Sequence, residues 1–256
     1  MADRKTQSTK KPTISRLQEP SRKRGKWLMG KTKKVILFIV EGITDKTALG
    51  SVLDAILSNE KIHFAITEGD ITTKDDVDAS NVIRRINEII RATQERYHFC
   101  ASDLLEIVHL IDTDGAFIPE TAIVNTPAAT HIQYSQQDIQ TSDVQKIAER
   151  NRKKLGLVNI LKGKSEINKK PYKMFYFSRN QEHVLHNDAR ELTTSQKNAL
   201  ADQFDEQYGD APEAFLEYIK SKDFAVPGDY VATWNFIESG LHSLERWSNF
   251  HLYFED

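Results

Sequence analysis

The chain has 256 residues, of which 39% are hydrophobic and 28% are charged, and its formal net charge at pH 7 is −2. These values predict a folded protein with one large domain, or one domain and an appendage. No apolar run reaches the ~20 residues of a membrane span, and the N-terminus lacks the apolar segment of a secretory signal. A single cysteine, Cys100, excludes an internal disulfide and a cysteine-based zinc site. We therefore expect a cytoplasmic protein without a membrane partner.

The small net charge hides a strongly basic N-terminus. Residues 1–34 contain twelve Lys or Arg against Asp3 and Glu19, and the remaining 23 basic and 35 acidic residues give the rest of the chain a charge of −12. The segment is rich in Ser, Thr, Gln and Lys and lacks apolar periodicity, so residues 1–32 are predicted to be a disordered tail. Such a tail suits contact with nucleic-acid phosphates, and a plain solubility tail is the alternative.

Strand-like and helix-like patterns alternate after this tail. Val35–Val40 is a continuous apolar run, typical of a strand buried on both faces, and apolar residues at helical spacing follow up to Leu57. The same two patterns recur as a strand at 61–70 and a helix at 77–92, and a third apolar strand covers 104–115. This order predicts βαβ units and therefore an α/β fold with a mostly parallel sheet flanked by helices.

The second half of the chain has weaker patterns. Residues 116–141 are polar and show no periodicity, which indicates a functional loop or an insertion. A helix is predicted at 142–155, and a fourth strand at 172–178 opens into a helical region. Apolar residues at helical spacing then predict a helical C-terminal part, residues 191–256, packed on an α/β domain of residues 33–190.

Acidic side chains follow two of the apolar strands. Glu41 and Gly42 end the first strand, with Asp45 at the start of the next helix, and Asp112 and Asp114 end the third strand. Because the carboxyl ends of parallel strands lie along one edge of a sheet, we expect these acids to gather there. In an extended segment residues i and i+2 point the same way, so the two aspartates could face one ion. Clustered carboxylates repel one another unless a cation lies between them, and oxygen ligands favour Mg²⁺ or Mn²⁺.

Two segments carry a resemblance to a known family. The segment "FIVEGITD", followed about 70 residues later by "LIDTDG", resembles a TOPRIM domain, the catalytic module of topoisomerases, primases and OLD-family nucleases. The resemblance covers roughly residues 33–190. A third segment, "FYFSRNQEHVLHND", resembles the strand and helix start of RloB-type TOPRIM proteins, which are often attached to anti-phage systems. In those proteins the positions of Ser178 and Glu182 lie near the metal edge.

The resemblance implies a metal-dependent nuclease that acts on RNA or DNA, plausibly as the effector of an anti-phage defence system. Its catalytic acids would be Glu41, Asp45, Asp112 and Asp114, and Mg²⁺ or Mn²⁺ would be held by Glu41, Asp112, Asp114 and Glu182. For Asp45 and Glu182 the alternative is an acid that stabilises the first turn of a helix. The sequence contains no phosphate-binding P-loop, so an ATPase partner, as in OLD proteins, would be a separate chain. A homo-oligomer is a further possibility.

A basic stripe in the second half of the chain is the candidate nucleic-acid contact. Its members are Arg150, Arg152, Lys153, Lys154, Lys162, Lys164, Lys169 and Lys170. Beside an acidic metal site, such a stripe would bind the phosphates on which the metal acts. The alternative is a solvated helix face.

Two other functions compete with the nuclease. The segment "LIDTDGAF" also resembles the Asp-x-Asp-Gly-Thr motif of HAD-type phosphatases, in which Asp112 would be the nucleophile, but that family places the motif after its first strand. The second competitor is a non-catalytic subunit that keeps the fold and binds an ATPase through its helical C-terminal part.

Overall fold

The computed structural model describes residues 34–255. A five-stranded sheet lies at the centre of this part of the protein. The strands are β1 (Val35–Val40), β2 (Lys61–Ile66), β3 (Leu104–Asp112), β4 (Ile123–Asn125), β5 (Gln133–Tyr134), β6 (Ile139–Thr141), β7 (Glu166–Ile167) and β8 (Lys170–Phe177). The α-helices are α1 (Ile43–Ile56), α2 (Val82–Tyr97), α3 (Val144–Lys162), α4 (Gln181–His186), α5 (Thr194–Tyr208), α6 (Pro212–Ile219) and α7 (Tyr230–Ile237). The tail predicted for residues 1–32 lies outside the described residues.

The central sheet has the strand order β2-β1-β3-β8-β7. β1 pairs in parallel with β2 and with β3, β3 pairs in parallel with β8, and β7 is an antiparallel edge strand. The predicted α/β fold with a mostly parallel sheet is confirmed at this level. The parallel order of β1, β3 and β8 places the ends of these three strands side by side at the carboxyl edge.

Helices cover both faces of this sheet. All six residues of β1 are buried, and their side chains alternate between two apolar clusters. Leu37 and Ile39 pack with residues of α2, α3 and α7, whereas Phe38 and Val40 pack with residues of α1, α5 and α6. A strand that is buried on both faces needs apolar side chains at every position, which explains the continuous run in the sequence.

The polar segment at 116–141 contains structure that its sequence did not predict. It forms a second sheet of three strands in the order β4-β6-β5, preceded by a 3-10 helix at Glu120–Ala122. Ile118, Ile123 and Ile139 form a small core with Ile147 of α3 and with Leu244. These strands are only two or three residues long, too short for an alternating pattern to be recognised.

Helix lengths also differ from the expectations. α2 begins at Val82 because the residues before it form turns, and α3 continues to Lys162 because Leu157, Val158 and Leu161 extend its buried face. α4 has only six residues. Among residues 34–255, no helix is long and apolar enough to cross a membrane.

The C-terminal part is built into the sheet rather than merely packed on it. α5, α6 and α7 are helical as predicted, and two 3-10 helices follow, His242–Leu244 and Phe250–Phe254. Asn249 Oδ1 accepts a hydrogen bond from the backbone N–H of Tyr176 at 2.9 Å, and the N–H of Ser178 donates to the carbonyl of Trp247 at 2.8 Å. The described residues accordingly belong to one compact unit.

Candidate active site

The predicted acidic residues lie at the carboxyl edge of three adjacent parallel strands. Glu41 directly follows β1, Asp112 is the last residue of β3, and Glu182 comes five residues after the end of β8. The backbone N–H of Asp112 donates to Oε1 of Glu41 at 3.1 Å, which holds the Glu41 side chain against β3. We call Glu41, Asp45, Asp112, Asp114 and Glu182 together the acid edge.

Two members of the acid edge also stabilise helix N-termini. Asp45 lies in the first turn of α1, and its Oδ2 accepts a hydrogen bond from the N–H of Gly42 at 2.8 Å. Glu182 lies in the first turn of α4 and forms an ion pair with Lys197 at 3.3 Å. Burial raises the pKa of Asp45, and the charge of Glu182 raises it further, so the two acids interact across the helix starts. Asp45 and Glu182 therefore stabilise helix starts and also belong to the acid edge.

Burial and mutual repulsion raise the pKa values of three acids. Burial raises the pKa of Glu41 well above its ordinary value although Lys154 opposes the shift, and nearby carboxylates raise it further. The pKa of Asp112 is also well above its ordinary value, because of burial first and then the charge of Glu41 and of the other acids. Burial raises the pKa of Asp45 to about 6. A cation at this edge would relieve the repulsion and favour the ionised carboxylates.

Asp114 differs from the other acids because its backbone is left-handed, with φ of 50°. Its N–H donates to the carbonyl of Arg179 at 2.9 Å, and its Oδ2 accepts a hydrogen bond from Nζ of Lys154 at 2.6 Å. The expectation that Asp112 and Asp114 point the same way in an extended segment is therefore wrong. The strand ends at Asp112, and the turn directs the Asp114 carboxylate to a buried lysine.

Lys154 is a buried counter-ion of the site. Its side chain has no solvent exposure, and Nζ lies 2.8 Å from Oδ2 of Asp70 and 2.6 Å from Oδ2 of Asp114. Burial alone would lower its pKa, but Asp114, Asp70 and Glu41 raise it above the ordinary value. The prediction that Lys154 binds nucleic acid is wrong, because an enclosed amino group cannot reach a phosphate.

The other members of the basic stripe that lie on α3 have partners within the protein. Arg150 donates to the hydroxyl of Tyr134 and to the carbonyl of Asp114, each at 3.0 Å. Three more have partners: Arg152 pairs with Glu120, Lys153 donates to the carbonyl of Lys74, and Lys162 pairs with Glu238. A single stripe facing the acids is therefore not formed.

Three members of the stripe lie at the far edge of the sheet. Lys164 and Lys169 flank β7, and Lys170 is the first residue of β8, whose other end lies at the acid edge. At ~3.3 Å per residue, Lys170 is about 23 Å from Phe177 along the strand. The structure does not bring these lysines to the acids.

The donor chemistry of the acid edge fits a hard divalent cation. Its side chains are all carboxylates, and burial with mutual repulsion raises the pKa of Glu41, Asp45 and Asp112. Within residues 34–255, however, no three His, Cys, Asp or Glu side chains are arranged so that they could hold a metal ion. Side-chain rotation toward a common point would be needed, above all by Asp114, which faces Lys154.

Asp70 is a site residue that the sequence reasoning missed. It follows β2, and its Oδ1 accepts hydrogen bonds from the N–H and the hydroxyl of Thr72. Burial would raise its pKa, but the charge and hydrogen bond of Lys154 and the bonds from Thr72 lower it. The signal was present, because "TEGD" ends the second strand on acids just as the first and third strands end.

Ser178 does not present its hydroxyl to the acids. It is buried, its Oγ donates to the carbonyl of Glu245, and it accepts a hydrogen bond from the N–H of Trp247 at 2.8 Å. Ser178 therefore anchors the C-terminal segment at the end of β8.

Comparison of the chain with protein-family models, with curated proteins and with solved structures gives no match.

Gly115 is required by the turn that carries Asp114. Its φ is +64°, and a Cβ at this position would lie 2.6 Å from Cδ2 of the buried Leu244. We expect Gly115→Ala to lower the free energy of unfolding by about 2 kcal/mol or more, through backbone strain and overpacking. Gly156→Ala is the control, since it lies in α3 with open space around it and should stabilise by about 0.5–1 kcal/mol. Urea unfolding measures both, and equal effects of the two changes would contradict the argument.

Glu41→Gln should stabilise the metal-free protein increasingly as the pH rises. The folded-state pKa of Glu41 lies well above 4.5, so its ionisation disfavours the folded state from that pH upward. The glutamine keeps Oε1, which accepts from the Asp112 N–H, and removes the charge. Melting curves in EDTA from pH 5 to 8.5 should show nearly equal midpoints at pH 5 and a higher midpoint for the variant at pH 8. A difference between the two midpoints that does not grow with pH would refute this expectation.

Proposed function

We propose that the protein is a Mg²⁺- or Mn²⁺-dependent phosphodiesterase of the TOPRIM type that cleaves RNA or DNA. As the sequence resemblance suggests, it would work in the cytoplasm as an anti-phage effector with a separate ATPase chain. The observation that carries the proposal is the acid edge. Three parallel strands deliver carboxylates to one place, and those carboxylates raise one another's pKa.

Each acid has a proposed role. The metal ion would be held by Glu41, Asp112, Asp114 and Glu182. When bound, it would neutralise phosphate charge and lower the pKa of a coordinated water. Asp45, which lies in the first turn of α1 close behind Glu41, would accept or donate a proton in the cleavage step. Lys154 would limit the negative charge of the site by holding Asp114 and Asp70.

The decisive experiment is a cleavage assay with the full chain. End-labelled single-stranded RNA, single-stranded DNA and duplexes are incubated with Mg²⁺, Mn²⁺ or EDTA, with the ATPase encoded nearby added where one exists. We expect cleavage with either metal and none in EDTA. Cleavage that persists in EDTA, or no cleavage of any substrate together with no effect of Mg²⁺ on the melting temperature, would overturn the proposal.

One observation favours a second candidate, a non-catalytic subunit of an ATPase complex. Asp114 is neutralised by Lys154, so the site is partly balanced without a metal ion. The absence of a Mg²⁺ effect, combined with stable binding to the ATPase, would support this alternative. A HAD-type phosphatase is disfavoured because Asp112 ends β3, the third strand in chain order.

A further inference from the structure

A basic cleft opens beside the acid edge. It has a volume of about 520 Å³, and its lining includes His131, Tyr134, Arg179, Asn180, Arg190 and Lys197. These residues come from three separate parts of the chain: the inserted segment at 116–141, the turn after β8, and the stretch from Arg190 into the first turn of α5. The basic stripe predicted from the sequence contains none of them.

Two residues connect the basic cleft to the acids. The N–H of Arg179 donates to Oγ1 of Thr113, between the two motif aspartates, and its carbonyl accepts from Asp114. Lys197 pairs with Glu182 at 3.3 Å, and the charges of Asp112 and Asp45 also act on it. A ligand in the cleft would therefore lie next to the acid edge.

An aromatic ring in the cleft is held in a fixed position. The Arg179 guanidinium lies 5.0 Å from the centre of the Tyr134 ring, and its Nη2 donates to the carbonyl of Ala189 at 2.8 Å. The Tyr134 hydroxyl accepts from Arg150, which also donates to the carbonyl of Asp114. Arg150 thereby links the Tyr134 ring of the inserted sheet to the turn at Asp114. The insertion thus contributes an aromatic side chain to the cleft.

Cationic donors remain for a ligand in the cleft. Arg190 uses Nε and Nη2 to bind Asp188 and keeps further N–H groups, and its side chain is 75% exposed. The ion pair of Lys197 with Glu182 is long, at 3.3 Å, so its ammonium group can turn to an incoming anion. Among residues 34–255, Glu191 is the one acid that lines the cleft, and it pairs with His131 at 3.0 Å.

We propose that the basic cleft binds one unpaired nucleotide of the nucleic-acid strand that the acid edge cleaves. Arg190 and Lys197 would contact a phosphate, and a base would stack on the pair formed by the Tyr134 ring and the Arg179 guanidinium, since aromatic rings and guanidinium planes both stack on bases in proteins that bind single strands. The cleft of about 520 Å³ has room for a single nucleotide, which must be unpaired to enter it. The substrate would therefore be a single strand, or an unpaired end or loop. This inference rests on the proposed nuclease function.

Binding is measured separately from cleavage, by fluorescence anisotropy in EDTA. The probe is a labelled 12-nucleotide single strand, and a 12-base-pair duplex and ATP are the unlabelled competitors. We expect the single strand to bind about 10-fold more tightly than the duplex and ATP to compete only weakly. Arg190→Gln should weaken strand binding about 5-fold and reduce the salt slope by roughly 0.7, the loss of one phosphate contact. Arg91→Gln, an exposed arginine on α2, is the matched control and should bind as the wild type does.

Substitutions of Tyr134 distinguish the contribution of base stacking to binding from that of charge. Tyr134→Leu should weaken strand binding roughly 5- to 20-fold without changing the salt slope, whereas Tyr134→Phe keeps the ring and should bind nearly as the wild type does. If both variants equal the wild type, or if the duplex binds as well as the single strand, the proposed subsite is wrong. Tight ATP binding that excludes the strand would make the cleft a pocket for a free nucleotide and would also overturn it.

The two proposals can fail independently. If the wild type cleaves a strand with Mg²⁺ and Arg190→Gln and Tyr134→Leu bind normally, the nuclease proposal stands and the subsite is refuted. If the variants lose strand binding but no metal supports cleavage, the cleft binds nucleic acid and the nuclease proposal is refuted.

Discussion

Asp112→Asn is expected to reduce Mg²⁺-dependent cleavage by about 10²-fold or more. The substitution keeps the shape of the side chain but removes one negative charge from a site whose acids would share a divalent ion. In the proposed reaction that ion would supply several kcal/mol of transition-state stabilisation. In EDTA the same variant should melt at the same temperature as the wild type or higher, because Asp112 is repelled by Glu41 and its other acidic neighbours. The measurement pairs a cleavage assay with thermal melting.

A loss of cleavage together with an unchanged or higher melting temperature in EDTA would identify Asp112 as a functional acid. A structural acid would instead lower the melting temperature when it is replaced. Asp54→Asn, an exposed position on α1, is the control and should change neither quantity. Full cleavage by Asp112→Asn would place the metal elsewhere. A markedly lower melting temperature in EDTA would show that the carboxylate supports the fold.

Lys154→Met is expected to destabilise the protein by about 3–5 kcal/mol, because it leaves Asp70 and Asp114 without their buried partner. For a domain of this size, the loss corresponds to a melting temperature lower by about 10 °C. Lys146→Met, at an exposed position on the same helix, is the control and should change stability by less than about 0.5 kcal/mol.

A double variant tests whether the loss comes from the ion pair. Asp70→Asn removes the charge that Lys154 leaves unbalanced, so Lys154→Met with Asp70→Asn should be less destabilised than the sum of the single changes. Both losses are measured by urea unfolding. If the losses of the single variants add up in the double variant, or if Lys154→Met alone lowers the free energy of unfolding by less than about 1 kcal/mol, the buried amino group is dispensable.

The strands and their acids could be predicted because both depend on simple regularities. A parallel strand buried on both faces must be apolar throughout, and parallel strands end along one edge, so Val35–Val40 and Leu104–Asp112 indicated the position of Glu41 and Asp112. Neither argument requires knowledge of the tertiary contacts.

The failures depend on contacts that no local pattern encodes. Lys154 was interpreted as part of a surface stripe because α3 buries polar side chains, among them Asn151, so its inward face does not stand out as apolar. The left-handed backbone of Asp114 is set by the Thr113–Arg179 and Lys154 contacts, which come from distant parts of the chain. The basic cleft was missed for the same reason, since three separate segments build it.

The hydrogen bonds of residues 243–249 have a consequence for synthesis on the ribosome. The carbonyl of Ser243 accepts from Thr113 and Arg179, its hydroxyl accepts from Phe117, and Trp247 binds Ser178. Glu41 is translated early, but the turns after β3 and β8 gain these hydrogen bonds only when residues 243–249 have left the exit tunnel. A nascent chain should therefore complete the acid edge only after residue 249 has emerged from the ribosome, and shorter nascent chains would lack the proposed nuclease activity.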